Sequence, residues 1–382
     1  MIHRRNRRAD NAGFSLVELL VAIVIGLVLT LAITSVMTRS EGTKRTINST
    51  NDANQNGAYI SYVLDRALRS AGSGYAQRWR EVFGCRINAS LDNAALLPRT
   101  AALPAPFAGM PQAFRLAPVV VTRGADSDVL AVMTGSGGFG ENSLRVLPSS
   151  VSASELRLPN TLGISGNDLV LLAEDGVGCM LQQVSNGFVG AADQQLPLSG
   201  RFYSATGTDV NLTAFGVAGD AYAISLGNAV ANAPQFQLIG VGDNNTLVSY
   251  DILRMTEPDE AIPVAEGVVQ LRALYGVDND NDGRQDAWVD PGAAPWDSAS
   301  LLDGSVVARD NLRRIVAVRV GLIIRTSLVE RTNVSPASIT LFSDLGAALE
   351  QTRVLSADEQ RIRHRAVEVT VPLRNILLLP PA

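Results

Sequence analysis

The sequence is poor in the residues on which most active sites depend. Its 382 residues include two His and two Cys. His364, the one histidine beyond residue 13, stands among arginines in the segment RIRHR and is expected to be a surface residue. A Cys or Ser nucleophile needs a neighbouring base, and the sequence has no Gly-x-Ser-x-Gly motif, metal-binding His pair or phosphate-binding loop. We therefore expect a protein that is not an enzyme and has no small-molecule substrate.

An excess of positive charge is also missing. The formal net charge is −5, and the first 13 residues carry four Arg and one Asp, so their removal would take the charge to −8. Domains that bind nucleic acids usually carry a basic face. The acidic composition therefore argues against a nucleic-acid partner.

The most prominent feature is a long apolar run near the start of the chain. Glu18 is the only charged residue from Phe14 to Met37, and a basic stretch, HRRNRR, precedes the run. At a rise of about 1.5 Å per residue, a helix of this length crosses a hydrocarbon core of about 30 Å. Basic residues before the span favour a topology in which the acidic remainder of the chain lies outside the cytoplasm.

Glu18 helps to decide whether this apolar run is a signal peptide, a signal anchor or another kind of membrane span. A secretory signal peptide would have a shorter apolar region followed by a cleavage site with small residues. A plain signal anchor explains the length and the flanks but not Glu18, because a carboxylate in a membrane span is costly and usually has a partner. Glu18 either has such a partner or reaches the membrane interface, as charged residues near helix ends do.

The segment GFSLVELLVAIVIGLVL, residues 13–29, resembles the N-terminus of type IV pilins and pseudopilins. The resemblance implies that a prepilin peptidase cuts after Gly13 and that Phe14 becomes the N-methylated N-terminus. It also implies that Glu18 pairs with the N-terminal amine of a neighbouring subunit during assembly. A buried carboxylate is tolerated mainly when a counter-charge comes close, which gives this pairing a physical basis.

An amphipathic helix is predicted after the apolar run, and Gly72-Ser73-Gly74 ends it. We expect this helix to continue the membrane-spanning one and to pack on a sheet. The segment QNGAYISYVLDRALRSAG, residues 55–72, is similar to the segment that follows the span in PilW minor pilins, although one residue fewer separates Gln55 from Gly57. The apolar face of the predicted helix consists of Ile60, Val63, Leu64, Ala67, Leu68 and Ala71.

The rest of the chain predicts a head rich in β-strands, because apolar or alternating runs are separated by Gly, Ser, Asn and Asp. The strongest run, Ile315–Thr326, is expected to be a central strand, and Asp344–Glu359 is expected to be a short helix or a loop. The other predicted strands are Pro118–Thr122, Val129–Met133, Leu144–Leu147, Asp168–Ala173, Met180–Val184, Gln235–Ile239, Leu247–Leu253, Val268–Tyr275 and Ala366–Leu373.

The predicted fold class is therefore α+β, with a long N-terminal helix packed on an antiparallel β-sheet head, as in pilins. We divide the chain into a leader peptide (residues 1–13), a transmembrane or filament-core helix (14–38), an amphipathic helix half (39–74) and an extracytoplasmic head (75–382).

Cys85 and Cys179 are the only cysteines. In a reducing compartment they would be buried small hydrophobic residues, whereas in an exported domain two cysteines suit one disulfide. The predicted topology favours the disulfide. PilW-like proteins carry a Cys in a strand pair similar to the one around Cys179, which supports that residue as one end of the bridge.

An acidic segment, DNDNDGRQD at residues 278–286, is a candidate site for a structural Ca²⁺. Hard cations bind several oxygen ligands on a tight turn, and alternate Asp residues followed by Gly supply both. The alternative is a solvated turn, since Asp, Asn and Gly are common in turns. The segment YGVDNDNDG is similar to one that PilW-like proteins often show after a strand. The predicted ligands are the side chains of Asp278, Asp280, Asp282 and Asp286 and the main chain of Arg284.

This segment departs from an EF-hand loop in two respects. A predicted strand precedes it in place of a helix, and Val289 stands where the bidentate Glu belongs. Asp290 follows directly as a substitute acid.

The resemblances together imply a minor pilin of the PilW type, a non-catalytic subunit of type IV pili. Such a protein primes pilus assembly with other minor pilins and the major pilin. It sits at or near the pilus tip, where a tip adhesin is a further expected partner. It serves cell adhesion and twitching motility. It resides in the inner membrane with its head in the periplasm before assembly. The open alternatives are a J-type minor pseudopilin of type II secretion, and a membrane-anchored, calcium-stabilised binding domain or adhesin outside any filament.

Overall fold

A computed structural model describes residues 15–136, 143–255 and 258–379. The leader, Gly13 and Phe14 lie outside the described residues. The chain forms two compact units, Met1–Asp52 and Ala53–Ala382. The second unit contains the β-rich head.

One helix, α1 (Leu16–Ser70), covers both the apolar run and the amphipathic segment, as predicted. Its apolar part is exposed and is long and apolar enough to cross a membrane. The hydroxyls of Thr30, Thr34 and Thr38 donate to main-chain carbonyls four residues earlier, so these polar side chains need no partner outside the helix. The N-terminal part of α1 therefore fits membrane anchoring.

The last turns of α1 carry the apolar face that the sequence predicts. Ile60, Leu64, Leu68 and Ala71 are fully buried, and the remaining predicted face residues are partly buried. Burying a Leu or Ile side chain contributes about 1.5–3 kcal/mol, so this face is a major stabilising contact of the head.

Gly57 explains how closely α1 approaches the sheet. A Cβ at this position would lie 3.1 Å from Ile324 Cδ1 and 3.5 Å from Val367 Cγ2. A larger side chain would push the helix away from the strands that carry Ile324 and Val367. The glycine of the QNGAY motif is thus a packing residue.

Besides α1, the described part of the head contains four short α-helices and five 3₁₀ turns, and its strands are named in chain order. The helices are α2 (Trp79–Val82), α3 (Ser298–Leu301), α4 (Val306–Arg314) and α5 (Arg374–Leu377). Strands β1 to β10 are Ile87–Leu91, Ala94–Leu97, Val119–Thr122, Val129–Thr134, Leu144–Arg145, Glu155–Arg157, Asp168–Glu174, Gly178–Gln183, Gln195–Pro197 and Tyr222–Asn228. Strands β11 to β19 are Gln235–Gly242, Thr246–Asp251, Ile262–Glu266, Val268–Val277, Ala287–Val289, Ile315–Val329, Ser338–Leu341, Gln351–Val354 and Ile362–Pro372.

Three sheets build the part of the head that the structure describes. A four-stranded antiparallel sheet has the order β15-β14-β16-β19, and a five-stranded antiparallel sheet has the order β13-β12-β11-β4-β3. A six-stranded sheet has the order β2-β1-β8-β7-β10-β5 and is antiparallel except between β1 and β8. Two further strand pairs, β17-β18 and β6-β9, lie outside these sheets.

Each predicted strand overlaps an observed one, and β16 is an inner strand of its sheet as expected. The prediction for Asp344–Glu359 was incomplete, because this segment contains β18, which pairs with β17. The polar sequence QTRV of β18 alternates between partly buried and exposed residues, so its pairing comes from the neighbouring strand and not from an apolar pattern.

The predicted disulfide is present between Cys85 and Cys179, whose Cα atoms are 5.9 Å apart. It lies where β1 and β8 run parallel, since Ile87 is the register partner of Cys179. The bridge closes a long loop, with a sequence separation of 94 residues.

The C-terminal end of α1 is held by residues from distant parts of the chain. The side-chain amide of Asn375 donates to the carbonyl oxygens of Ser70 at 3.2 Å and Ala71 at 3.0 Å. Thr134 Oγ1 also donates to the Ser70 carbonyl. Gly72, with φ +78°, turns the chain out of the helix. The last carbonyls of a helix lack partners within it, and Asn375 supplies two of the missing hydrogen bonds.

We expect Asn375→Ala to lower the free energy of unfolding by about 1–3 kcal/mol, because the Ala71 carbonyl loses its donor and the Ser70 carbonyl loses one of its donors. Asn375→Asp should not restore stability, since a carboxylate cannot donate. Arg374→Ala, an exposed change in the same helical turn, is the matched control. Chemical denaturation measures all three, and equal stability of the Asn375 and Arg374 variants would contradict the capping role.

Replacing both cysteines by serine should lower the free energy of unfolding by about 3–5 kcal/mol in the chain-entropy model, because the loop that the bridge closes is long. The measurement is denaturant unfolding with and without reductant. Detection of two free thiols in the unfolded, unreduced head would show that the bridge does not form.

Candidate functional site

The first turn of α1 contains a capping box built from Ser15 and Glu18. Ser15 Oγ accepts from Val17 N–H at 3.3 Å, and Glu18 Oε2 accepts from Ser15 N–H at 3.4 Å. This is the Ser-x-x-Glu arrangement that satisfies the free donors of a helix start. Glu18 is exposed in the single chain, so its carboxylate is accessible to a partner. The sequence predicted a partner or a place at the membrane interface for Glu18, and this local role was not predicted.

The acidic segment forms the turn between β14 and β15. The two strands pair from Tyr275 to Val277, and the segment from Asp278 to Asp286 connects them. Asn281 and Gly283 have φ of +62° and +84°, so the main chain curls inward. The carboxylate of Asp278 accepts the N–H groups of both residues, at 2.6 and 2.8 Å. The turn is thus organised around Asp278, which is 5% exposed.

Three of the predicted ligands come together. Carboxylate oxygens of Asp278, Asp280 and Asp286 lie within 4.8 Å of one another. Asp282 lies outside this cluster, and its carboxylate accepts the N–H of Arg284 at 2.8 Å. The cluster offers oxygen ligands from three carboxylates on a tight turn, which is the donor set of a hard divalent cation.

Two arginines that the sequence analysis did not connect with the loop lie against it. Arg314 donates to the Asp278 carbonyl at 3.0 Å and to Asn279 Oδ1, and Arg313 donates to Asn281 Oδ1 at 3.3 Å. Both bind neutral oxygens. Among residues 15–136, 143–255 and 258–379, no Lys or Arg makes an ion pair with the three clustered acids. Their carboxylates accept main-chain N–H groups instead, including Asn279 N–H at 2.6 Å for Asp286 and Asp282 N–H at 3.2 Å for Asp280.

Asp290, the substitute acid after β15, has a different role. It forms an ion pair with Arg123 and accepts from Gly292 N–H at 2.7 Å. Burial alone would raise the pKa of Asp290, but these hydrogen bonds hold the pKa below its ordinary value. Asp290 therefore fixes the end of the hairpin and is not available as a metal ligand.

Arg123 also belongs to a buried charge cluster that sequence reasoning missed. Asp128 is fully buried and accepts from Arg123 at 2.6 Å, Arg272 at 2.8 Å and Ala273 N–H at 2.9 Å. The cluster ties the β3–β4 turn to β14, which leads into the acidic loop. Removing either partner of a buried ion pair is strongly destabilising, so these charged side chains stay together in the folded head. The cluster thereby fixes the strand that leads into the acidic loop.

His364 is partly buried, in contrast to the surface position expected from the sequence. Its Nδ1 lies 2.9 Å from the Ile362 carbonyl oxygen and 3.5 Å from Ser335 Oγ. Burial lowers the pKa of His364, so the ring is neutral at pH 7. Ser335 Oγ is already engaged as a donor to the Ile362 carbonyl, and the pair has no activated nucleophile.

Comparison with known proteins supports the interpretation of both ends of the chain. Residues 8–34 match the family described as Prokaryotic N-terminal methylation motif, and residues 237–375 match the family described as Type IV Pilus-assembly protein W. The second match covers β12 to β19, the acidic loop and Asn375. Searches of curated proteins and of solved structures found no match.

The two matches lie at the two places where the sequence resembles pilins. The methylation motif ends within the apolar part of α1, and the PilW match covers the four-stranded sheet on which the last turns of that helix pack. The chain carries a prepilin methylation motif and a PilW domain, a combination consistent with a type IV minor pilin of the PilW family.

Proposed function

We propose that this protein is a non-catalytic minor pilin that primes assembly of a type IV pilus and then occupies a position at or near the pilus tip. The observation that carries the proposal is the combination of the methylation motif with a PilW domain in one chain. The proposed partners are the prepilin peptidase, the other minor pilins, the major pilin and a tip adhesin. The proposed location is the inner membrane, with the head in the periplasm before assembly.

The exposed apolar part of α1 supports this role. A helix that is apolar on all sides is stable in a membrane or among other such helices. In a filament of such subunits, Glu18 would meet the methylated amine of Phe14 on a neighbour, which offsets the cost of burying its charge.

Cleavage by the prepilin peptidase provides the first test of the proposed pilin role. In the native host, intact mass and N-terminal sequencing should find a chain that begins at methylated Phe14 when the prepilin peptidase is present. Gly13→Leu should leave the chain uncut. A wild-type chain that still begins at Met1 in the presence of the peptidase would favour a membrane-anchored binding domain over a pilin.

Glu18→Gln separates processing from assembly. The variant retains an acceptor for Ser15 N–H but loses the charge that would pair with a neighbour's amine. We expect normal cleavage and a loss of incorporation into surface pili, measured by immunoblotting of sheared pilus fractions. Incorporation equal to that of the wild type would rule out the proposed charge pairing.

We also propose that the acidic loop binds a structural Ca²⁺ through Asp278, Asp280 and Asp286. The convergence of three carboxylates that make no ion pair with a described Lys or Arg, at the end of a hairpin, supports the proposal. Asp282 and the carbonyl of Arg284 would join by a small rearrangement of the turn. Bound Ca²⁺ would remove the repulsion among the acids and tighten the hairpin.

Calcium should therefore raise the melting temperature of the head by a few degrees, because a ligand at 100 times its Kd stabilises by about 2.7 kcal/mol. Asp280→Asn should abolish the rise. Asp358→Asn, which removes one charge at a side chain that is 98% exposed, should keep it. Differential scanning fluorimetry with CaCl₂ and MgCl₂ measures the effect, and an unchanged melting curve at saturating CaCl₂ would refute the site.

A further inference from the structure

The outer edge of the four-stranded sheet is open. β19 pairs with β16 on one side, and no other strand of residues 15–136, 143–255 or 258–379 pairs with it. Both faces of the sheet are covered near this edge: α1 approaches Val367 at Gly57, and Phe342 packs against Gly321 from the other side. The main-chain edge of β19 is thus open between a face on which α1 packs and a face on which Phe342 packs.

The hydrogen-bond register shows which main-chain groups of β19 are unpaired. Leu373 N–H donates to the Val316 carbonyl at 2.8 Å, which continues the register of β19 with β16. In an antiparallel ladder, successive residues alternate between bonding to the partner strand and pointing away from it. The odd-numbered residues of β19 therefore bond to β16, and the even-numbered residues direct their N–H and C=O groups outward.

The first outward groups are already satisfied. Ser335 Oγ donates to the Ile362 carbonyl at 2.7 Å and accepts from His364 N–H at 2.9 Å. These contacts confirm the alternation and close the start of the edge. Ala366, Glu368 and Thr370 remain, and their outward main-chain groups have no partner within the described residues.

These three residues are accessible. Ala366, Glu368 and Thr370 are all exposed. The Glu368 side chain is only 24% exposed, because Arg319 and Phe342 N–H bind it at 2.6 and 2.8 Å. Much of the exposed surface of Glu368 therefore belongs to its main chain. An exposed strand edge with unpaired donors and acceptors is a template for a further strand.

The side chains along the edge define the chemistry of an added strand. Val367 and Val369 are partly buried and face α1, so an added strand would place small apolar residues beside them. At the start of the edge, Arg363 is ion-paired with Glu330 at 3.5 Å. Arg365 is exposed and donates to the neutral Asn54 Oδ1, and no described carboxylate pairs with it. A carboxylate on the added strand would complement the charge of Arg365.

We propose that the edge of β19 from Ala366 to Thr370 receives an extended, acidic strand of a different pilin subunit by β-strand addition. The added strand forms main-chain hydrogen bonds with Ala366, Glu368 and Thr370. A carboxylate of the added strand lies against Arg365. The inference rests on the proposed role in a multi-subunit assembly and names the surface that this role uses.

A second copy of this chain does not fit the edge. An antiparallel ladder between two copies would place Glu368 opposite Glu368 if it were centred on the open segment, and like charges directly opposite are unfavourable.

Residue-resolved hydrogen exchange tests the alternation directly. The mature full-length chain is compared with the assembly of this chain and other minor pilins purified from the native host. In the free chain, the amides of residues 366, 368 and 370 should exchange fast and those of 367, 369 and 371 slowly. In the assembly, the three fast amides should slow by about a hundredfold or more, because a ladder hydrogen bond must open first.

Two substitutions of Ala366, by proline and by serine, form a matched pair of variants. Ala366→Pro removes an N–H that no described residue of the chain uses, whereas Ala366→Ser keeps it, and both changes lie on an edge strand, where proline is tolerated. We expect Ala366→Pro to weaken association with the other minor pilins by about tenfold or more and Ala366→Ser to leave it unchanged. Equal melting temperatures of the two variants establish that the fold is intact.

The outcomes separate this inference from the proposed function. If the chain is cleaved and incorporated but residues 366, 368 and 370 still exchange fast in the assembly, strand addition is wrong and the minor-pilin role stands. If Ala366→Pro and Ala366→Ser associate equally well, strand addition is also wrong. If the wild-type chain joins no assembly of pilins, both the inference and the proposed function fail.

Discussion

The packing of the last turns of α1 on the four-stranded sheet is the contact on which the rest of the head depends. Gly57 lets the helix approach Ile324 and Val367, and the buried residues from Ile60 to Ala71 extend the contact along the helix. Asn375 then fixes the end of the helix by binding the carbonyls of Ser70 and Ala71. A helix this long would not hold a defined position on a sheet through apolar contacts alone, because hydrophobic burial is non-directional.

The four-stranded sheet also positions the other functional features. The acidic loop extends from one end of β14, and the buried cluster of Asp128, Arg123 and Arg272 holds that strand against the neighbouring turn. On the opposite side of the sheet, β19 presents an edge whose faces are covered. One sheet therefore supports a helix, a candidate metal loop and a strand-addition surface. The PilW match covers all four of its strands.

Some of these features follow from local sequence patterns. The apolar run and the spacing of buried residues predicted α1, because helix periodicity is visible within a few turns. The alternation of Asp with Gly after a strand predicted the acidic turn, and three of its acids do converge. Other features have no local signal. Asp290 looks like a metal ligand by its position, but Arg123, which is distant in sequence, engages it. The polar strand β18 forms only because β17 lies beside it.

Local patterns and simple counts are enough to predict the N-terminal methylation motif, the long helix, the succession of strands and the two cysteines of the disulfide. The open edge strand, the outward amides of β19 and the residue that caps α1 follow only from the folded chain. These properties depend on strand order, register and contacts between residues such as Ser70 and Asn375 that are far apart in the chain. Such contacts arise when the packed chain satisfies its buried polar groups, and no local pattern specifies their partners.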